Sequence, residues 1–217
     1  VRGAWVIVPV TVVALLGASC GGGGQGGDSS DTEGRLATPP GQLTAARFSG
    51  TAASPSRPAP PLRLKNALGR EVDVDRYRGK AVLVTFIYTG CGDVCPLIVG
   101  NFRTAQRELG SQAEDLQVIA VSVDPEGDTP GAVAKFLKAR RMTDRMEYLI
   151  GSRSDLEQAW SDWGVVSKAS PRKDDPDFVE HSALIYGISA DGRITTLYPA
   201  QFKPEQIVHD VPILASE

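Results

Sequence analysis

Three cysteines, two histidines and two methionines are all that this chain of 217 residues offers for thiol chemistry or soft-metal binding. Each can therefore be placed individually. A strong charge of one sign is also missing: 23 Lys and Arg against 26 Asp and Glu leave a net −3. That argues against bulk electrostatic binding to nucleic acid, which requires a basic face. The sequence has no comfortable membrane span either. Its longest apolar run, Ala4 to Leu16, falls short of the roughly 20 residues that cross a bilayer as a helix.

What is present is ordinary globular composition, 41% hydrophobic and 23% charged, with length for one domain and extensions. Residues 1–20 read as an export signal. Arg2 supplies the positive start, the apolar run follows, and the small residues Gly17-Ala18-Ser19 precede Cys20. This resembles a bacterial lipoprotein signal, with Gly17 standing where Leu is usual. The resemblance implies lipidation of Cys20 and a place at the cell membrane, facing the extracytoplasmic side. An uncleaved anchor leads to the same compartment. Residues 21–60 are rich in Gly, Ser, Thr, Ala and Pro and read as a flexible linker, or as one containing a short strand around Arg47-Phe48-Ser49-Gly50. The folded domain is expected over 61–217.

Within it, Leu62–Lys65 and Glu71–Val74 alternate apolar and polar around a turn, the pattern of a hairpin. Ala81–Tyr88 and Gln117–Val123 read as strands buried on both faces of a parallel sheet. Helices are expected from Pro96, from Asp128-Thr129-Pro130, and from a capping box at Ser154-Asp155-Leu156-Glu157. Tyr148–Ile150 is a short strand and Lys168–Phe178 a polar loop. Ser182–Ile188 and Ile194–Leu197 form a hairpin, and a last helix begins near Pro204. Parallel units closed by an antiparallel hairpin describe an α/β, thioredoxin-like domain: a central mixed sheet flanked by helices, with an N-terminal hairpin.

The chemistry concentrates at Cys91 and Cys95, between the end of a strand and the start of a helix. Unpaired N–H groups there favour thiolate, which is both nucleophile and metal ligand. On a helical turn, residues four apart share one face, so both sulfurs can point to one spot. A plain structural disulfide is the alternative in an exported protein, although it closes only a tiny loop here.

Thr89-Gly90-Cys91-Gly92-Asp93-Val94-Cys95-Pro96 resembles the C-x-x-x-C-P motif of the Sco/SenC family of copper-binding proteins. Val121-Ser122-Val123-Asp124-Pro125-Glu126-Gly127-Asp128-Thr129 is similar to the V-D-P-x-x-D-T segment of that family. His181-Ser182-Ala183-Leu184-Ile185-Tyr186 and Asp191-Gly192-Arg193-Ile194 extend the match. Gly90 stands where relatives often carry His. The resemblance implies a thioredoxin fold with copper, Cu(I) or Cu(II), held by Cys91, Cys95 and His181. It implies delivery to an exported acceptor, foremost the CuA site of cytochrome c oxidase subunit II. Two thiolates suit Cu(I), and an added imidazole admits Cu(II). A lone His at a strand edge is otherwise a surface or capping residue.

The alternative is a thiol–disulfide oxidoreductase in which Cys91 and Cys95 form the redox pair. Thioredoxin-like oxidoreductases resemble one another in a C-x-x-C pair and a proline just before the strand facing it. Here the pair has one more residue and His181 precedes that strand, with Pro176 the nearest upstream proline. Both departures favour metal. Peroxiredoxin-type peroxidases place Thr three residues before the reactive Cys; Tyr88 and Gly92 occupy those positions. Met142, Met146, Trp160 and Trp163 are expected in the core, and His209 at the surface.

Overall fold

All seven residues of β4 (Ala81–Ile87) are buried, because this strand is the axis of the sheet. The structure is a computed structural model and describes residues 47–169 and 179–217. β4 pairs in parallel with β5 (Leu116–Ser122), in register from Ala81↔Leu116 to Ile87↔Ser122. Parallel neighbours need a crossover. Here α1 (Val94–Leu109) supplies it, burying Ile98, Phe102, Ala105 and Leu109 at helical spacing. A second crossover, α2 (Pro130–Arg140), leads from β5 to β6 (Glu147–Ile150), again parallel.

The other strands are antiparallel. β1 (Thr51–Pro58), β2 (Arg63–Asn66), β3 (Glu71–Asp73), β9 (Leu184–Ile188) and β10 (Arg193–Pro199) complete an eight-stranded sheet of order β1-β10-β9-β4-β5-β6-β2-β3. β7 (Ser167–Ala169) and β8 (Val179–His181) form a separate two-stranded ribbon. Register puts Thr85, Ala120 and Tyr148 on one face of the sheet and Phe86, Val121 and Leu149 on the other. Tyr148 meets Phe136 of α2 at 5.9 Å between ring centroids. Phe86 meets Trp163 of α3 (Arg153–Trp163), also at 5.9 Å. Those two helices therefore cover opposite faces. α4 (Pro204–Ala215) packs on α1, and Phe202 just before it meets Phe102 at 5.1 Å. This is the expected α/β, thioredoxin-like arrangement with its hairpin β2–β3.

Four local expectations are corrected. The stretch 51–58, read as linker, is strand β1 on β10, with a register shift between Ala52 and Arg57. An edge strand tolerates proline, and a distant acid ties the segment down. The fully buried Asp210 carboxylate accepts the Ser49 and Gly50 amides at 2.7 and 2.9 Å and the Tyr198 hydroxyl at 2.8 Å. A side chain at Gly50 would collide with Tyr198 and Thr196. The folded unit thus begins before Thr51, not near Pro61. Second, α3 is capped by Ser152, whose hydroxyl accepts the Asp155 amide at 3.2 Å. Ser154 lies inside the first turn, and Glu157 pairs instead with Arg153. Third, α1 starts at Val94, so Pro96 takes its third position, where the missing N–H is equally harmless. Fourth, Lys168 and Ala169 belong to β7. The rest of that expected loop, 170–178 with Pro176, lies outside the described residues. So do the export segment and Cys20.

Candidate metal centre

The first turn of a helix leaves its N–H groups without partners. In α1 the N-cap residue, Asp93, makes no side-chain cap bond. Cys91 takes that role: the Cys95 amide donates to the Cys91 sulfur at 3.4 Å. The amides of Asp93 and Val94 also favour negative charge on that sulfur. The largest effect is the hydrogen bond from the Cys95 thiol, and together these outweigh burial and push Cys91 down from 9.0 to about 6. Cys95 moves the opposite way. Its proton is held by Cys91, and burial and the negative charge on Cys91 oppose a second ionisation. The pair therefore carries one thiolate, on Cys91, and one thiol, on Cys95. Both cysteines are buried and free.

The loop is held from below. Asp128, 3% exposed, sits where α2 begins, at the carboxyl end of β5. One of its oxygens accepts the Thr89 amide at 2.8 Å. The other accepts the Ser122 hydroxyl at 2.6 Å and the Tyr148 hydroxyl at 2.7 Å. Burial raises its pKa and these bonds oppose the rise. The cysteine loop is thereby clamped to the carboxyl edge of the parallel strands, where open α/β sheets commonly bind ligands. The sequence marked Asp128 only as part of a helix start and a family-like segment. Its role depends on Thr89, 39 residues away in sequence.

His181 ends β8, half-buried. Its ring meets Tyr88 edge to face, 5.8 Å between centroids at 84°. Nδ1 lies 3.1 Å from the Ser182 carbonyl. The tautomer that donates this bond leaves the lone pair on Nε2, the nitrogen with which this imidazole could bind a metal. Burial lowers the pKa of His181, which favours neutral imidazole. The structure brings Cys91 and Cys95 together and packs His181 on Tyr88. Among the described residues no three His, Cys, Asp or Glu side chains form a group able to hold a metal ion. Two thiols and a neutral imidazole nevertheless match soft metal by donor type.

The remaining candidates fall where expected. Met142 and Met146 are 0% and 5% exposed, and Trp160 and Trp163 are buried. His209 is half-exposed, and its Nδ1 lies 2.6 Å from the buried carboxylate of the next residue, Asp210. A cavity of about 670 Å³, lined by Gln106, Leu116, Leu137 and Met146 among others, contains neither cysteine nor His181.

The SCO1/SenC family model matches residues 51–216. The mitochondrial SCO2 homologue of Bos taurus is 33% identical over 138 residues, 62% of this chain and 51% of that protein. The chain thus spans about half the length of this mitochondrial relative. The copper-bound structure of ScoI from Bradyrhizobium japonicum has a TM-score of 0.64 at 30% identity, covering 71% of this chain and 97% of that one. Apo Sco1 of Thermus thermophilus has a TM-score of 0.67 at 30% identity, covering 77% and 96%. Among the described residues no helix is long and apolar enough to cross a membrane.

Proposed function

Because this chain belongs to the SCO1/SenC family, we propose that it is a copper metallochaperone with Cys91, Cys95 and His181 as ligands. The family handles copper in cytochrome c oxidase assembly. The observation that carries the reading is the paired sulfurs: Cys91, whose sulfur accepts the Cys95 amide at 3.4 Å, beside the second, buried cysteine. Cu(I) displaces the Cys95 proton on binding, and two thiolates with one imidazole complete a three-coordinate site. Such a site has an open face, through which a ligand of the acceptor enters as one of the donor's leaves. The acceptor in this reading is an exported protein, foremost the CuA domain of cytochrome c oxidase subunit II. Residues 1–20 act as the lipoprotein signal, lipidated at Cys20. The segment up to β1 is the tether that keeps the domain at the outer face of the cell membrane.

The test is metal counting. The reduced protein is loaded anaerobically with Cu(I), desalted and assayed. About one copper per chain is expected, lost on replacing Cys91 or Cys95 and sharply reduced in His181→Ala. No retained copper would overturn the reading.

A second reading, thiol–disulfide exchange, is favoured by the low pKa of Cys91. Its thiolate attacks a partner disulfide, forming a mixed disulfide and releasing one partner thiolate. Cys95 then loses its proton and attacks the Cys91 sulfur, leaving a Cys91–Cys95 disulfide and a fully reduced partner. Both activities can serve one acceptor, whose cysteines must be reduced before metal arrives. His181→Ala separates them, because exchange does not use the imidazole.

A further inference from the structure

We infer that Tyr88 is the positioning residue that sets His181 relative to the two cysteines. The inference rests on the copper reading for its purpose but on geometry for its content. Tyr88 is the residue directly after β4, and it is 2% exposed. Its carbonyl accepts the Cys91 amide at 3.3 Å. Its own amide faces the Cys95 sulfur. Its ring packs edge to face on His181, and its hydroxyl accepts the Val179 amide at 3.4 Å. One side chain and its backbone thus touch all three candidate ligands or the strand that carries them.

The reason a positioning residue is needed lies in the topology. His181 rides on the β7–β8 ribbon, which is not part of the main sheet. A two-stranded ribbon is marginal by itself. Its internal bonds, including Ser182 to Val166, fix β8 to β7 but not to the cysteines. Side-chain hydrogen bonds join the ribbon to the residues that directly follow β4 and β5. Ser167 of β7 donates to the Val123 carbonyl at 3.2 Å, and Val179 of β8 donates to Tyr88. The second lies on the strand that bears His181. Phenylalanine at position 88 keeps the ring contact and loses this bond. Leucine loses both.

The experiment compares Tyr88→Phe and Tyr88→Leu, each with and without His181→Ala, in the full chain. In metal-free protein, Tyr88→Phe should speed amide exchange at Val179 roughly 2- to 12-fold, the span of one net hydrogen bond. Tyr88→Leu should also move the ring-proton resonances of His181. With Cu(I) held against a chromophoric chelator, Tyr88→Phe should weaken retention by a similar factor, and should change nothing further once His181 is alanine. The inference fails if Val179 exchange is unchanged in Tyr88→Phe. It fails equally if the loss of copper is the same with and without His181, since Tyr88 would then act on the cysteines or the fold alone. Should wild type retain no copper, the copper reading falls. The exchange and resonance measurements on metal-free protein still decide the positioning role.

Discussion

The backbone amide of Cys95 donates to the sulfur of Cys91 across 3.4 Å, so the first cysteine caps the helix on which the second one rides. This bond makes two residues of the same type chemically unequal. Cys91 is favoured as the thiolate acceptor, and Cys95 as the thiol that donates to it.

Alkylation should report that asymmetry directly. Cys91 should react with a pH midpoint near 6, far below the ordinary 9.0. Replacing the hydrogen-bonding thiol in Cys95→Ala should move the midpoint upward. A profile that stays in place in Cys95→Ala would sink the shared-proton account.

The same shift has a stability consequence. A thiol whose pKa is depressed in the folded state adds stability that is complete above the unfolded value and lost as pH falls through the folded one. For Cys91 that window runs from 9.0 down to about 6. Denaturant midpoints of the reduced, metal-free protein should therefore rise with pH across it. The slope should flatten in Cys91→Ser. Parallel curves for the two proteins would contradict the shift.

Copper retention should weaken as pH falls, since a proton competes throughout for Cys95 and, from about 6 downward, for Cys91 and His181 as well. His181→Ala should lower retention while leaving the rate of partner-disulfide reduction within about twofold, because exchange needs only the two thiols. A chelator titration and a disulfide assay on the same samples check both halves.

Asp128→Ala should cost about 2–4 kcal/mol. It strands the Thr89 amide and the Ser122 and Tyr148 hydroxyls in a buried site. Asp128→Asn should cost less, since its amide oxygen still accepts from Thr89. Urea melts give the ordering, and alkylation of Cys91 should slow in the alanine variant as the loop loosens. Equal stability of all three proteins would remove Asp128 from the account.

Asp210→Ala should free the start of β1. Amide exchange over residues 49–57 should accelerate well beyond that of the central strand β4, because two backbone amides and the Tyr198 hydroxyl lose their acceptor. Uniform acceleration across the sheet would mean that Asp210 supports the whole fold rather than its edge.

The strands and helices around the cysteines were legible because their signals are local. A run such as Ala81–Tyr88 has no polar residue able to face water over several positions, so it must be buried. Thr129-Pro130 states a helix start in two residues. The failures share one cause. β1 reads as linker because its anchor, Asp210, is 161 residues from Ser49. The capping box at Ser154 was displaced by Ser152 because both serines satisfy the local pattern, and only the chain's arrival from β6 chooses between them.

From the sequence alone come the thioredoxin-like α/β order, the pair of thiols at a strand-to-helix junction and the candidate imidazole at His181. These depend on neighbours in the chain, on residue type and on spacing. Only tertiary structure decided that Cys91 rather than Cys95 carries the charge, that Asp128 clamps the loop, and that Tyr88 stands between the thiols and His181. Each of those depends on which atoms meet in a buried, water-poor space, where a single donor or acceptor shifts a proton, and such meetings are made by the fold.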